Sequence, residues 1–205
     1  VFFKKFYHSK KLINTKKEFH IFDINPNVNK YLKNYTNKKN IIYNYIALGK
    51  SNKKKKYNFN QSFEASGSSM ASLYKDDKSW IKSRELFLKL FWQKTSGYKE
   101  IEVPVCTFDS YVKKNKIKNV DIVKIDVDGS EEDVIFGMKN TLKKGLIESV
   151  QLEITDKKKK FQKKQQRLIN YLKKRNYYLK NSKKITSVSL LSNLKCTENL
   201  FILKK

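Results

Sequence analysis

Glycine is scarce in this chain of 205 residues, with six in all, and proline is scarcer, with two, Pro26 and Pro104. Such poverty excludes a collagen-like repeat and a Gly/Pro-rich linker. It also leaves no GxGxxG-like phosphate cradle anywhere in the chain. The two cysteines, Cys106 and Cys196, stand far apart and in no CxxC pair, which argues against a disulfide scaffold and a thiolate zinc site. His8 and His20 have no acidic or thiol companions at ligand spacing, so no metal site is expected. No apolar run approaches the ~20 residues of a membrane-crossing helix. Val1-Phe2-Phe3 is followed at once by Lys4 and Lys5 rather than by a signal-peptide core. The cytoplasm is therefore the expected compartment, with no membrane partner.

Acidic residues are short too. Nineteen Asp and Glu face 46 Lys and Arg, for a net charge of +27. That excess suggests a polyanion partner. Arginine, however, is confined to Arg84, Arg167 and Arg175. Proteins that read phosphates or bases favour its planar fork of donors. Lys, Asn, Ile and Tyr are abundant together, as an A/T-rich coding sequence dictates. The lysines are scattered, and the short clusters Lys53–Lys56 and Lys157–Lys160 read as solvated loops. Compositional bias is favoured over selected anion binding, and nucleic acid stays open as a partner without being favoured.

What is present is enough apolar residue, 39% with 13% aromatic, for one packed domain spanning 1–205. Residues 1–14 carry Phe2, Phe3, Phe6, Tyr7 and Ile13 at a roughly helical period. Phe19–Phe22 is a short β-type run ending at Asp23. Asn25-Pro26-Asn27 opens a helix with Val28, Tyr31 and Leu32 on one face. Ile41–Leu48 reads as one strand closed by Gly49, and Tyr57–Phe59 as a short strand. Ser66–Ser69 is a turn. Trp80–Trp92 is an aromatic-rich amphipathic helix, packed on the core in preference to serving as a substrate lid.

Later segments are more regular. Glu102–Val105 is extended, and Thr107 or Asp109 can cap the helix that follows through Tyr111 and Val112. Asp121–Val127 is nearly continuous apolar sequence, the mark of a parallel strand buried on both faces. Ser130 and Asp133 form a capping-box-like pair, and Val134, Met138 and Leu142 mark the buried side of the helix they open. Ser149–Ile154 is the next strand, Phe161–Tyr178 a basic helix with Leu168, Ile169 and Leu172 apolar, and Leu200–Leu203 a final strand. Strands alternating with helices imply βαβ units. The expected fold is α/β, a mostly parallel open sheet with helices on both faces.

Ligands of such sheets bind at the carboxyl ends of the strands. Those ends here are Asp23, Leu48-Gly49, Asp126-Val127-Asp128 and Glu153-Ile154-Thr155. A carboxylate at Asp23 can accept the ribose hydroxyls of an adenosine-type cofactor, although Asp before Asn-Pro is also a common turn. Asp126 and Asp128 tip a buried strand ahead of a glycine turn, where an unused carboxylate is expensive. Glu132 and Asp133 have a plainer reading as acidic residues in a first helical turn.

The run VDIVKIDVDGSEEDVIFGMKNTLKKGLIESVQLEI resembles the hallmark segment of the FkbM-type methyltransferases, a strand reading KIDVEG followed by an acidic helix start and a strand ending in glutamate. IFDINPN, IIYNYIALG and VPVCTFDSYV resemble three further segments of that family in the same order, so that the resemblance covers about residues 19–155. It implies a Rossmann-like class I methyltransferase that uses S-adenosyl-L-methionine. The implied activity is O-methylation of a hydroxyl on a sugar, glycan or small natural product. By motif match, Asp23 would hold the ribose, Ala47 and Leu48 would lie near the adenine, and Asp126 and Asp128 would face the sulfonium and the acceptor.

The chain departs from the pattern twice. The family's first strand and DVGAN-G loop have no counterpart, since VFFKKFYHSKK looks like the helix that follows them; these 205 residues alone are expected to bind cofactor poorly. Asp128 replaces the usual Glu and shortens its reach by a methylene. For the base that takes the acceptor's proton, Asp126 is first in line, with Asp128 and Glu131 behind it. Residues 50–100 are the expected insertion and specificity region. The rival reading is a basic Rossmann-like relic that binds nucleic acid or another polyanion without catalysis. A third reading moves the acceptor to RNA or protein.

Overall fold

The computed structural model describes residues 17–24, 40–60, 71–72, 98–127, 129–185 and 194–204. The helices expected at 1–14 and 25–32, the turn at 66–69 and the segment Trp80–Trp92 lie outside them.

The described chain opens with β1 (Phe19–Phe22) and β2 (Ile41–Asn44), which pair in parallel. The single strand expected over Ile41–Leu48 is broken at Tyr45-Ile46. Its second part, β3 (Ala47–Leu48), joins a different sheet. That sheet runs β3-β6-β4-β5 and contains β4 (Lys53–Asn60), β5 (Ala71–Ser72) and β6 (Tyr98–Cys106). The lysine cluster Lys53–Lys56 is therefore strand, not loop. Antiparallel pairing with β6 satisfies its backbone, while Lys53, Lys54 and Lys56 keep their side chains exposed. The second cluster, Lys157–Lys160, likewise spans the end of a strand and the start of a helix.

Residues 107–204 form the larger unit. Thr107 caps α1 (Phe108–Lys114), its hydroxyl oxygen accepting the Ser110 N–H at 3.1 Å. Asp109 serves another helix instead, accepting from the Asn140 and Thr141 N–H groups at 2.8 Å each. β7 (Val120–Ile125) leads to α2 (Glu131–Phe136) and α3 (Lys139–Lys143). Val134, Met138 and Leu142 are all buried, as their spacing predicts. Their helix is nonetheless split at Gly137. A side chain there would put Cβ 2.1 Å from the Gly49 carbonyl oxygen, so the two backbones touch. The capping box is not formed. Ser130 stands at the N-cap without a side-chain bond, and Asp133 pairs with Lys50 and Lys55.

β8 (Ile147–Lys157) lies parallel to β7. α4 (Lys158–Lys173) ends in a turn where Asn176 takes a left-handed φ of 64°, and β9 (Tyr177–Lys184) starts there, two residues inside the expected helix. β10 (Leu194–Leu203) inserts antiparallel between β8 and β9, giving the order β7-β8-β10-β9. The Tyr177 hydroxyl donates to the Ile147 carbonyl at 2.6 Å and ties β9 to the start of β8.

Among the described residues, three strand pairings are parallel and four antiparallel, so the architecture is α/β with mixed sheets rather than mostly parallel. One core joins Phe108 and Val112 of α1, Val123 and Ile125 of β7, Val150, Leu152 and Ile154 of β8, and Phe161, Leu168 and Leu172 of α4. Each such side chain contributes ~1.5–3 kcal/mol of hydrophobic stabilisation. β7 is not buried on both faces. Val123 and Ile125 point into this core, whereas Ile122 is 52% exposed and Lys124 partly so. The near-continuous apolar run hid an alternation of period two.

Candidate active site

Two parallel strands bring two carboxylates together. Ile125 is the last residue of β7 and pairs with Leu152. One residue further along, Asp126 comes alongside Glu153 of β8. Both are partly buried, and Lys124 on the same face holds an Asp126 oxygen at 3.2 Å. Burial pushes the Glu153 carboxyl above the usual range, and the negative charge of Asp126 pushes it further. The Cys196 thiol donates to Glu153 at 3.2 Å and accepts the Thr155 hydroxyl at 3.3 Å. Burial carries that thiol up to about 12, so it stays protonated and unreactive near neutrality. Glu198 lies directly across from Glu153 on β10 and accepts the Gln151 amide at 2.6 Å.

The other sequence-derived residues are spread over the remaining sheets. Asp23 follows β1, its N–H donating to the Asn44 carbonyl at 3.3 Å and its own carbonyl accepting the Tyr43 hydroxyl at 3.1 Å. Burial first and the Asp23 charge second raise the phenols of Tyr43 and Tyr45, which places both rings near its carboxylate. Ala47 is buried on β3, and Leu48 packs against the main core. Asp23 and Asp126 thus stand in different sheets, and β7 is an edge strand of the sheet described rather than a central one. Asp128 lies outside the described residues. Glu131 is 0% exposed, with one carboxylate oxygen accepting the Gly129 N–H at 2.8 Å and the other bound to Lys164.

Sequence reasoning placed Glu153 at a ligand-binding strand end without giving it a role, and passed over Lys124 and Lys164. The signal for Glu153 was the expected strand end at Glu153-Ile154-Thr155, although β8 runs on to Lys157. Lys164 had a fainter signal: it occupies a slot in the apolar stripe Phe161, Leu168, Leu172, where a solvated lysine does not belong. Among the described residues, no three His, Cys, Asp or Glu side chains converge as a metal-holding group. No described helix is long and apolar enough to cross a membrane.

Residues 4–179 match the model of the methyltransferase FkbM domain. The chain belongs to the FkbM methyltransferase family. No individual curated protein and no solved structure matches it. Membership makes this FkbM-domain protein a methyltransferase by family and implies the class I methyltransferase fold.

Proposed function

We propose that the protein is an S-adenosylmethionine-dependent O-methyltransferase acting on a hydroxyl of a sugar, glycan or small natural product. The observation that carries this reading is the half-buried pair Asp126 and Glu153, where β7 ends alongside β8, within a chain of this family. Burial and the Asp126 charge oppose the ionisation of Glu153, and a cation beside the pair, as Lys124 already is, relieves that cost. The donor set therefore fits a sulfonium cofactor. S-adenosylmethionine supplies a methyl group carried on that sulfonium. Asp23 would hold the ribose hydroxyls, with Ala47 and Leu48 beside the adenine.

Asp126 is the group placed to take the proton that an acceptor hydroxyl releases, and Lys124 keeps its carboxylate oriented. Proton acceptance of this kind contributes roughly 100-fold or more. Alignment of acceptor and donor supplies a further several kcal/mol. Asp128 stands behind Asp126 as a base. Glu131 is reassigned, because its two oxygens are already engaged and it is closed off from solvent. Acceptor specificity is assigned to residues 50–100.

Asp126→Asn, made in the longest form the gene encodes, should reduce methyl transfer by roughly 100-fold or more while the melting temperature stays close to that of the parent. Methyl release from labelled S-adenosylmethionine across a panel of sugars and glycans measures it. Unchanged turnover would remove Asp126 from the role.

A further inference from the structure

Lys164 is 3% exposed and its partner Glu131 is 0% exposed. A lysine in the apolar stripe of α4 is costly unless its donors are met. All three are. Its Nζ donates to the Glu131 carboxylate, to the Thr155 carbonyl at 2.8 Å and to the Gly129 carbonyl at 3.2 Å. The second Glu131 oxygen accepts the Gly129 N–H at 2.8 Å.

The ion pair thus grips both backbone polar groups of one residue. Gly129 has a φ of 108°, a conformation that side chains other than hydrogen rarely tolerate, and it lies in the turn between Asp126 and α2. The same lysine reaches the end of β8 through Thr155. Beside it, Arg167 makes a bidentate pair with Glu132 at 2.8 and 2.9 Å, pinning α4 to the first turn of α2.

Stability does not account for this arrangement. A buried ion pair generally does no better than apolar side chains of the same volume. What apolar side chains cannot do is hold the N–H and the carbonyl of a turn in place. We propose that Lys164 and Glu131 are positioning residues, which fix Gly129 and through it the turn that carries Asp126 at the carboxyl end of β7. The consequence for the reaction rests on the function proposed above; the clamp itself does not.

The test compares the wild-type chain with Lys164→Met/Glu131→Leu, which removes both charges together and so leaves no buried ion unpaired. Glu131→Gln serves as a second variant that keeps an acceptor for Gly129. Hydrogen exchange is followed at Gly129 and, as a measure of the whole fold, at Val150 and Leu152. In the double variant the Gly129 amide should exchange roughly tenfold faster or more while the β8 amides keep their wild-type rates. Glu131→Gln should show a smaller rise in the same direction. Calorimetric titration with S-adenosylmethionine, with both proteins made in the longest form the gene encodes, should give a dissociation constant raised by roughly tenfold in the double variant.

Wild-type exchange at Gly129, or a rise shared equally with β8, would overturn the clamp. Equal cofactor affinity in wild type and double variant would overturn the positioning role. If the wild type takes up no S-adenosylmethionine even in the longest form the gene encodes, the methyl-donor reading falls, and the exchange rates still decide the clamp.

Discussion

The two faces of β8 are built to different ends. On one, Val150, Leu152 and Ile154 are 0% exposed and meet the helices in a single core. On the other, Ser149, Gln151 and Glu153 are only partly buried. There they share space with Lys124 of β7 and with Glu198 of β10. The same backbone thus presents a surface that folds the protein and, one residue out of phase, a polar surface that carries the candidate site. Substitutions on the first should act through stability. Substitutions on the second should act through charge and proton binding and leave the fold standing.

The largest effect belongs to the helix-covered face. Leu152→Ala should cost about 2–5 kcal/mol, because its neighbours are fixed on every side and the cavity collapses only partly. Urea unfolding measures it, and a loss below ~1 kcal/mol would mean that this face is not the rigid core described. Next comes Gly137→Ala, at the contact between the α2–α3 break and Gly49. The new Cβ meets backbone rather than a movable side chain, so a loss of ~1–3 kcal/mol is expected in the same assay.

The smallest effect on the fold belongs to the polar face. Glu153 has its pKa raised in the folded state, by burial first and by Asp126 second. The folded protein therefore holds that proton more tightly than the unfolded chain. The group costs stability as pH climbs from its ordinary value of 4.5 through the raised one, and costs nothing below it. Glu153→Gln should flatten that fall, leaving the variant the more stable above the window and little changed below it. Thermal melts between about pH 4 and 8 read the difference, and parallel curves would contradict the assignment.

The sequence exposed the second half of this fold better than the first. Val134, Met138 and Leu142 announced their buried side through i,i+4 spacing. Failures came where long-range pairing overrode local pattern. Lys53–Lys56 has no strand-like composition, yet β6 supplies its backbone partners. Ile41–Leu48 looked continuous but is divided between two sheets by Tyr45-Ile46. The mostly parallel sheet was inferred from alternation of strands and helices, which cannot report that β10 returns antiparallel between β8 and β9. Asp126 drew attention as a candidate because a carboxylate ending an apolar strand is expensive. Its partner Glu153 is given by strand register, and Lys164 by a helix packing on a turn that lies 35 residues earlier.

The most direct measurement is a pair of calorimetric titrations with S-adenosylmethionine, on the longest form the gene encodes and on its Asp23→Ala variant. The Asp23 backbone bonds to Asn44 and Tyr43 do not involve its carboxylate, and a melting temperature of the variant close to the wild type's checks that the fold survives. Wild-type binding that weakens by roughly tenfold or more in the variant is the outcome expected of a carboxylate on the ribose. No heat in the wild type, or equal affinity in both proteins, would contradict cofactor binding at these strand ends.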